Sequence, residues 1–395
     1  MLAQRLAAGL ALITLLIGPA LAQIAPPRTL DELKAETQAR ADRNAYPLTG
    51  LKPEDVRDAL AHIHSLDRDE WAAAWSAIGD RYEEQGVAAS NPKIAAENFV
   101  QAWRYYSFAR WPVPNSPGKE AAYRKALKAF RDAARFLDPP MEIVRIPFEG
   151  KEIVGYLRLP KDVRPAPLVF SISALDSRKE DSLERGADFV MHGAAVFAID
   201  MPGTGEAPIK AEVNGERMFS RALDALLARP EIDKGRIAVI GVSWGSYWAA
   251  KLAFVERARI KGSVVQGGPI DHYFAADWQR TALGTREYLF DLFPARASVY
   301  GVSTLEDFLA FGPKLSLRVQ GLVDQPSAPM LLVNGVKDTQ VPIADLDLLL
   351  HTGSAKEAWV NPVGGHMGRS ADWPDSKIFE QVVLPWVLKR LGSEG

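Results

Sequence analysis

Hydrophobic and polar positions follow two different patterns along the chain, and the first pattern ends near residue 138. Before that point, apolar residues recur every three or four positions, which is the spacing of helices with one buried face. Asp67 or Asp69 can cap one helix, Asn91–Pro92 opens a second, and Ser116–Pro117 precedes a third. We therefore predict an all-helical N-terminal domain over residues 23–138.

After residue 138 the pattern changes to short runs of Val, Ile and Leu that alternate with helical segments. Two runs flank Glu149–Gly150, which predicts a hairpin with a tight turn. The later runs are "APLVFSIS", "AAVFAID", "RIAVIG", "IKGSVVQGG", "APMLLVNG" and "EAWVNP". This alternation predicts an α/β fold, with a mostly parallel sheet covered by helices and a functional site at the carboxyl ends of its strands.

Residues 270–320 interrupt this alternation with a segment rich in aromatic side chains. We interpret the segment as an inserted lid over the strand ends. Tyr273, Phe274 and Trp278 are then candidates for a substrate pocket, because pockets for small molecules are lined mainly by apolar and aromatic groups. The alternative is that these residues only fasten the lid to the helical domain.

The stretch "RIAVIGVSWGSYWAAKLAF", residues 236–254, places Gly-x-Ser-x-Gly between a predicted strand and a predicted helix. A tight strand-turn-helix connection lifts the central serine above the sheet, and glycines two positions before and after it avoid a collision. Ser243 is therefore our candidate nucleophile, and the alternative is a buried turn residue. The backbone N–H of Trp244 would then face an oxyanion formed on the substrate.

A serine hydroxyl is a weak nucleophile, so a neighbouring base is required. His366 lies in a Gly-rich loop directly after the last predicted strand and is our candidate base, with His272 as its rival. Asp338 follows the strand "APMLLVNG" and comes between serine and histidine in chain order, as the elbow motif predicts for the acid. The other carboxylates considered are Asp324, Asp345 and Asp347. The first precedes the strand, and the other two fall on the next helix, where we expect solvent-exposed carboxylates.

A second oxyanion donor is expected in the loop after "APLVFSIS". The backbone N–H of Ala174 or of Leu175 can supply it, and one such donor typically contributes about 3 to 4 kcal/mol of transition-state stabilisation.

Taken together, the elbow, "NGVKDTQVP", "GGH" and "DMPGTGE" resemble the α/β-hydrolase superfamily. The helical N-terminal domain, "IPFEGKEIVGYLRLP" and "ALDSRKED" more narrowly resemble the group that holds fermentation-respiration-switch esterases, dihydroxypseudooxynicotine hydrolase and polyketide-shortening hydrolases. This resemblance implies a catalytic domain over residues 139–395, with Ser243, Asp338 and His366 as nucleophile, acid and base. Relatives often carry Gly-Gly where this chain has Ser173–Ala174, so Leu175 is a less secure oxyanion donor than Trp244.

We therefore expect a serine hydrolase that acts through an acyl-enzyme on esters of apolar or aryl acyl groups. The resemblance equally implies cleavage of a carbon–carbon bond beside a ketone, because both reactions use the same triad. A non-catalytic binding protein is the alternative from another class.

Composition excludes several other chemistries. The chain has 395 residues, a formal net charge of -2 and no cysteine, which gives no reason to expect nucleic acid as a partner and excludes thiolate catalysis. There is no His-Glu-x-x-His motif, no phosphate-binding loop and no dinucleotide fingerprint, so we expect a small-molecule substrate and neither metal nor cofactor. Homo-oligomer formation stays open.

The first 22 residues have the pattern of a secretory signal peptide, with an apolar run and a small-x-small site at Ala20–Ala22. We expect cleavage after Ala22 and a periplasmic or secreted protein without membrane attachment. An uncleaved membrane anchor is the alternative.

Overall fold

The computed structural model describes residues 27–393, so the predicted signal peptide, residues 1–22, lies outside the described residues. Within these residues, helices alone precede the first strand, as the apolar spacing predicts. These helices are α1 (Leu30–Asp42), α2 (Pro53–Ala61), α3 (Arg68–Ala88), α4 (Pro92–Ala109) and α5 (Pro117–Ala134). The Asp67 side chain accepts the backbone N–H groups of Asp69 and Glu70, so Asp67 is the cap of α3 and Asp69 lies inside the helix.

One mixed sheet of eight strands forms within residues 27–393. Its strands are β1 (Met141–Phe148), β2 (Lys151–Arg158), β3 (Ala166–Ile172), β4 (Ala195–Ile199), β5 (Ile232–Val242), β6 (Gly262–Gln266), β7 (Met330–Gly335) and β8 (Glu357–Asn361). Their spatial order is β1-β2-β4-β3-β5-β6-β7-β8. The predicted hairpin β1–β2 is antiparallel and pairs antiparallel with β4, and the remaining neighbours are parallel. The predicted α/β fold is therefore confirmed.

Helices cover both faces of this sheet. They are α6 (Lys179–Arg185), α7 (Ala187–Met191), α8 (Arg217–Leu227), α9 (Trp244–Val255), α10 (Ala276–Leu283), α11 (Leu292–Tyr300), α12 (Leu305–Phe311), α13 (Ile343–His351), α14 (Asp375–Ile378) and α15 (Leu384–Leu391). The helical stretch over residues 179–193 is divided at Gly186. A Cβ there would lie 2.7 Å from Val196 Cγ1, so the chain touches β4 at this point. No helix within the described residues is both long and apolar enough to cross a bilayer.

The helical region shares a core with the sheet. Buried residues of α2 to α5 are continuous with those on one face of the sheet and with α15. Phe130 of α5 stacks on Tyr156 of β2, with ring centroids 5.7 Å apart. The other face is buried by α8, α9, α13 and the lid. A boundary between two domains at residue 138 stays a prediction.

The lid between β6 and β7 contains α10, α11 and α12. Part of its aromatic content fastens it to the helical region, as the alternative interpretation expects. Tyr288 stacks on Trp111 with ring centroids 5.2 Å apart, and Phe290 meets Trp71 edge to face at 4.7 Å. These contacts are typical of aromatic pairs in cores.

The motifs "ALDSRKED" and "DMPGTGE" meet in a buried ion cluster behind the strand ends. The Lys179 ammonium lies 3.0 Å from Asp200, 3.2 Å from Glu180 and 2.7 Å from Glu206. Burial by itself would lower the pKa of Lys179, but the negative charges of Asp200 and Glu180 reverse this effect and raise it well above the usual value. The cluster therefore joins the start of α6 to the turn after β4.

Replacing Lys179 by Met should destabilise the fold, because three carboxylates would remain buried or half-buried without their cation. Loss of one partner from a buried ion cluster costs about 3 to 5 kcal/mol. Urea unfolding at neutral pH should show that Lys179→Met lowers the free energy of unfolding by this amount. Lys234 is exposed on the same domain, so Lys234→Met is the matched control. Equal unfolding free energies for the two variants would contradict the role of the cluster.

Candidate active site

The predicted elbow occupies the connection between β5 and α9. Ser243 follows the last residue of β5, precedes the first residue of α9 and has φ 50° and ψ -126°, an unusual conformation for a residue with a side chain. A Cβ on Gly241 would lie 2.4 Å from the Gly245 carbonyl oxygen. A Cβ on Gly245 would lie 2.3 Å from the Ser173 carbonyl oxygen. The second glycine is thus required by the neighbouring loop after β3 rather than by the turn itself.

The three predicted triad side chains lie in one hydrogen-bonded line. His366 Nε2 is 2.8 Å from Ser243 Oγ, and His366 Nδ1 is 2.8 Å from Asp338 Oδ2. His366 and Asp338 are buried, and Ser243 is half-buried. In the tautomer that this carboxylate favours, Nδ1–H donates to Asp338 and Nε2 accepts the serine hydroxyl proton. Their catalytic roles remain predictions.

Asp338 is held in place from several directions. Its Oδ1 accepts the backbone N–H groups of Gln340 at 2.7 Å and Val341 at 2.9 Å, and its Oδ2 accepts the Asn334 side-chain amide at 3.0 Å. Burial alone would raise the pKa of Asp338. The charge of His366 and these hydrogen bonds outweigh burial and hold the pKa below its usual value. Asp338 therefore stays ionised at neutral pH and can stabilise an imidazolium.

The candidate oxyanion donors are backbone N–H groups of residues that line the small cavity at Ser243. Trp244 is the first residue of α9, so its N–H has no acceptor within the helix. In the loop after β3, the Ala174 N–H donates to Ser177 Oγ at 2.9 Å, which leaves Leu175 as the donor candidate of that loop. Both Trp244 and Leu175 line the cavity at Ser243.

The helical region holds this loop through Asp176. The Asp176 carboxylate accepts the Tyr46 hydroxyl and, at 3.3 Å, the Trp111 indole N–H. Its backbone carbonyl accepts the Arg110 guanidinium. Asp176 directly follows Leu175, so residues before the first strand hold the loop that carries the second oxyanion donor candidate.

The cavity at Ser243 has a volume of about 20 Å³, which is room for one water molecule. It is lined by Leu175, Ser243, Trp244, Tyr273, Tyr288, Leu292, Arg296, Gln340, Val341 and His366. A cleft of about 1100 Å³ lies between the helical region and the loops at the strand ends, and His366 is among its lining residues. His366 is therefore the one triad residue that lines both spaces.

The structure places the remaining candidates in different surroundings. Tyr273 lines the cavity and accepts the Trp244 indole N–H at 3.0 Å. Phe274 meets Trp244 edge to face, and the Trp278 indole N–H donates to the Gln340 carbonyl. Neither residue lines the cavity. Tyr288 is one of the aromatic residues of the predicted lid and does line the cavity. Sequence patterns gave no role to Arg296, which belongs to no motif, or to Gln340, which lies in "NGVKDTQVP" only as a neighbour of Asp338.

His272, the rival base, pairs with a different carboxylate. Its Nδ1 lies 3.3 Å from Asp345 Oδ1, and this hydrogen bond raises the pKa of His272. The expectation that Asp345 is exposed on its helix was wrong. Asp345 is fully buried, because it accepts the backbone N–H groups of the four residues 270–273 at the start of the lid.

The chain matches the sequence model of a known protein family over most of its length. The sequence model of a family described as "Esterase FrsA-like" matches residues 54–371, which is most of the chain. The chain belongs to the FrsA-like esterase family. Membership supports an esterase-like hydrolase that acts on a small molecule. The family match extends across both the helical region and the sheet.

Curated relatives of this FrsA-like esterase share about a quarter of its residues. Esterase FrsA from Vibrio vulnificus (strain YJ016) is 27% identical over 345 residues, which cover 80% of this chain and 81% of that protein. Esterase FrsA from Escherichia coli O157:H7 is 26% identical over 367 residues, which cover 87% of this chain and 86% of that protein.

Two solved structures share the fold of the FrsA-like esterase. The 2,6-dihydroxy-pseudo-oxynicotine hydrolase has a TM-score of 0.72 and 23% identity, covering 87% of this chain and 93% of its own. AbyA5 has a TM-score of 0.73 and 21% identity, covering 92% of this chain and 95% of its own. The resemblance to the predicted group of hydrolases is thereby confirmed.

Gly245→Ala should impair esterase activity, because the added Cβ forces the elbow away from the loop that carries Leu175. Displacement of about 1 Å in a catalytic arrangement can lower the rate by roughly 10²-fold. The measurement is kcat/KM for 4-nitrophenyl acetate, with circular dichroism to verify folding. Gly235→Ala in β5, the strand that leads to the elbow, is the matched control, since its Cβ would meet only Asp233 at 3.4 Å. Activity of Gly245→Ala equal to that of the control would contradict the steric argument.

Proposed function

We propose that this FrsA-like esterase hydrolyses carboxylic esters through an acyl-enzyme on Ser243. The observation that carries the proposal is the hydrogen-bonded line from Ser243 through His366 to Asp338, with 2.8 Å at each step. Such a line activates a serine that is otherwise weakly nucleophilic.

Each group in the site has one task in the proposed reaction. His366 Nε2 accepts the proton of Ser243 Oγ while the oxygen attacks the ester carbonyl carbon. The oxyanion of the resulting tetrahedral intermediate accepts the N–H groups of Trp244 and Leu175. His366 then gives the proton to the departing alkoxide, and Asp338 stabilises the imidazolium between these steps. A water molecule, deprotonated by His366, hydrolyses the acyl-enzyme and regenerates the serine.

The two spaces beside His366 suit the two parts of an ester. The large cleft has walls of mixed charged, polar and aromatic residues, and its volume would accommodate alcohol or phenol leaving groups of many sizes. The cavity at Ser243 has mainly apolar walls, which suit the hydrocarbon part of an acyl group. Its volume admits only a methyl-sized group in this conformation. A longer or aryl acyl group therefore has to displace lid side chains such as Tyr288 and Leu292.

We favour ester hydrolysis over cleavage of a carbon–carbon bond, because the family is one of esterases. A binding protein has no need of a serine aligned with a buried histidine and an ionised carboxylate. The triad geometry therefore favours the enzyme over the binding protein.

Ser243→Ala should lower kcat for 4-nitrophenyl acetate by roughly 10⁴- to 10⁶-fold, because the acyl-enzyme forms on the Ser243 hydroxyl.

Asp338→Asn should lower kcat for the same ester by roughly 10⁴-fold, because an amide at position 338 favours the wrong tautomer of His366. Asp324 is exposed, so Asp324→Asn is the matched control and should stay within about two-fold of wild type. Full activity of Ser243→Ala, or equal rates for the two Asp→Asn variants, would overturn the mechanism.

Leu292→Ala should enlarge the acyl cavity at a residue that is 8% exposed. Wild-type kcat/KM for 4-nitrophenyl esters should be highest for short acyl groups. Removal of three side-chain carbons should move the optimum to acyl chains longer by about two or three carbons, because a cavity left by Leu→Ala can be refilled by a ligand. Leu309→Ala, a lid residue outside the cavity lining, should leave the chain-length profile unchanged. The same profile in all three proteins would mean that the acyl group lies elsewhere.

A further inference from the structure

Arg296 of α11 is a buried cation in the wall of the cavity at Ser243. Arg296 is 3% exposed. One terminal nitrogen donates to Gln279 Oε1 and the other to Gln340 Oε1, each at 2.8 Å. The guanidinium carbon lies 5.2 Å from the centre of the Tyr273 ring. All these partners are neutral.

No carboxylate of the described residues lies within 4.0 Å of the Arg296 nitrogens. The two buried carboxylates of this region are engaged elsewhere. Asp338 is bonded to His366, and Asp345 is occupied by the backbone at the start of the lid. A buried ion without a partner of opposite charge costs several kcal/mol. A guanidinium has five N–H donors, and the two glutamines use only two of them.

The surrounding groups orient this cation instead of neutralising it. Gln279 belongs to α10 and Gln340 to the loop after Asp338, so the two amides fix the plane of the guanidinium from opposite elements. The guanidinium also lies over the Tyr273 ring, which is a cation–π contact. A rigid, planar fork with free donors is suited to bidentate binding of a carboxylate.

We infer that Arg296 binds a carboxylate carried by the acyl part of the substrate, so that the preferred substrates are monoesters of short dicarboxylic acids. This inference rests on the proposed function, because it places the acyl group in the cavity that Ser243 and Arg296 share. The methylene groups between ester and carboxylate would contact the apolar wall, and the charge would be paired by Arg296. Entry requires Leu292 or Tyr288 to give way, as for any acyl group beyond acetyl.

The test compares esters that differ only at the end of the acyl chain. Monoethyl succinate, glutarate and adipate are measured against ethyl butyrate, pentanoate and hexanoate at neutral pH, with acid release followed by titration. At least one charged ester should exceed its neutral match in kcat/KM by roughly ten-fold or more. Arg296→Met should lower that ratio by roughly 10²-fold, because the carboxylate would then be buried without a partner.

Two further variants separate charge from packing. Arg296→Lys keeps the charge but not the fork and should retain part of the preference. Arg280→Met removes an arginine from the neighbouring helix α10, outside the cavity lining, and should leave the ratio unchanged. Equal or higher kcat/KM for the neutral esters with wild-type enzyme would overturn the inference, whether or not Arg296→Met folds. An unchanged ratio in a folded Arg296→Met protein would do the same.

Binding to the Ser243→Ala protein distinguishes this inference from the proposed function. Calorimetry should show tighter binding of monoethyl adipate than of ethyl hexanoate, and the added Arg296→Met substitution should remove the difference. If no ester is hydrolysed but this difference is found, the proposed function fails and the anion site stands. If esters are hydrolysed through Ser243 but charged and neutral esters bind equally, the anion site fails alone.

Discussion

The close approach of the Gly245 backbone to the carbonyl groups of Ile172 and Ser173 is the contact on which the rest of the site depends. It brings the start of α9 against the end of β3, which is the neighbour of β5 in the sheet. The elbow and the loop that carries Leu175 therefore lie side by side. With any side chain at position 245 the nucleophile candidate and the two backbone donors could not face one cavity without rearrangement.

That loop is held from two sides. Behind it, the Lys179 cluster joins the start of α6 to the turn after β4. In front of it, Tyr46 and Trp111 of the helical region bind Asp176. The helical region is thus part of the frame around the site as well as one wall of the cleft. This arrangement gives a physical reason why the family match covers the helices together with the sheet.

The electrostatics of the cavity follow from its small size and apolar walls. Charges interact strongly where water is excluded, so an ionised Asp338 beyond His366 and a buried Arg296 in the wall create a strong field across the space at Ser243. The Asp338 carboxylate is hydrogen-bonded to His366. The cation is held by neutral amides, which leaves it available to a group that enters the cavity.

Local patterns in the sequence predicted the helical region, the hairpin, the alternation of strands and helices along the chain, and the three residues that form the hydrogen-bonded line. These features depend on local spacing, on caps such as Asp67, and on the rule that the carboxyl ends of parallel strands share one edge. Tertiary structure decided the surroundings of individual side chains. Asp345 sits on a helix yet is fully buried, because the start of the lid, distant in sequence, directs four backbone N–H groups at it. Arg296 carries no motif, and only the meeting of two lid helices with the loop after Asp338 makes it an isolated cation beside Ser243. Burial and pairing depend on contacts between residues far apart in the chain, which no local pattern records.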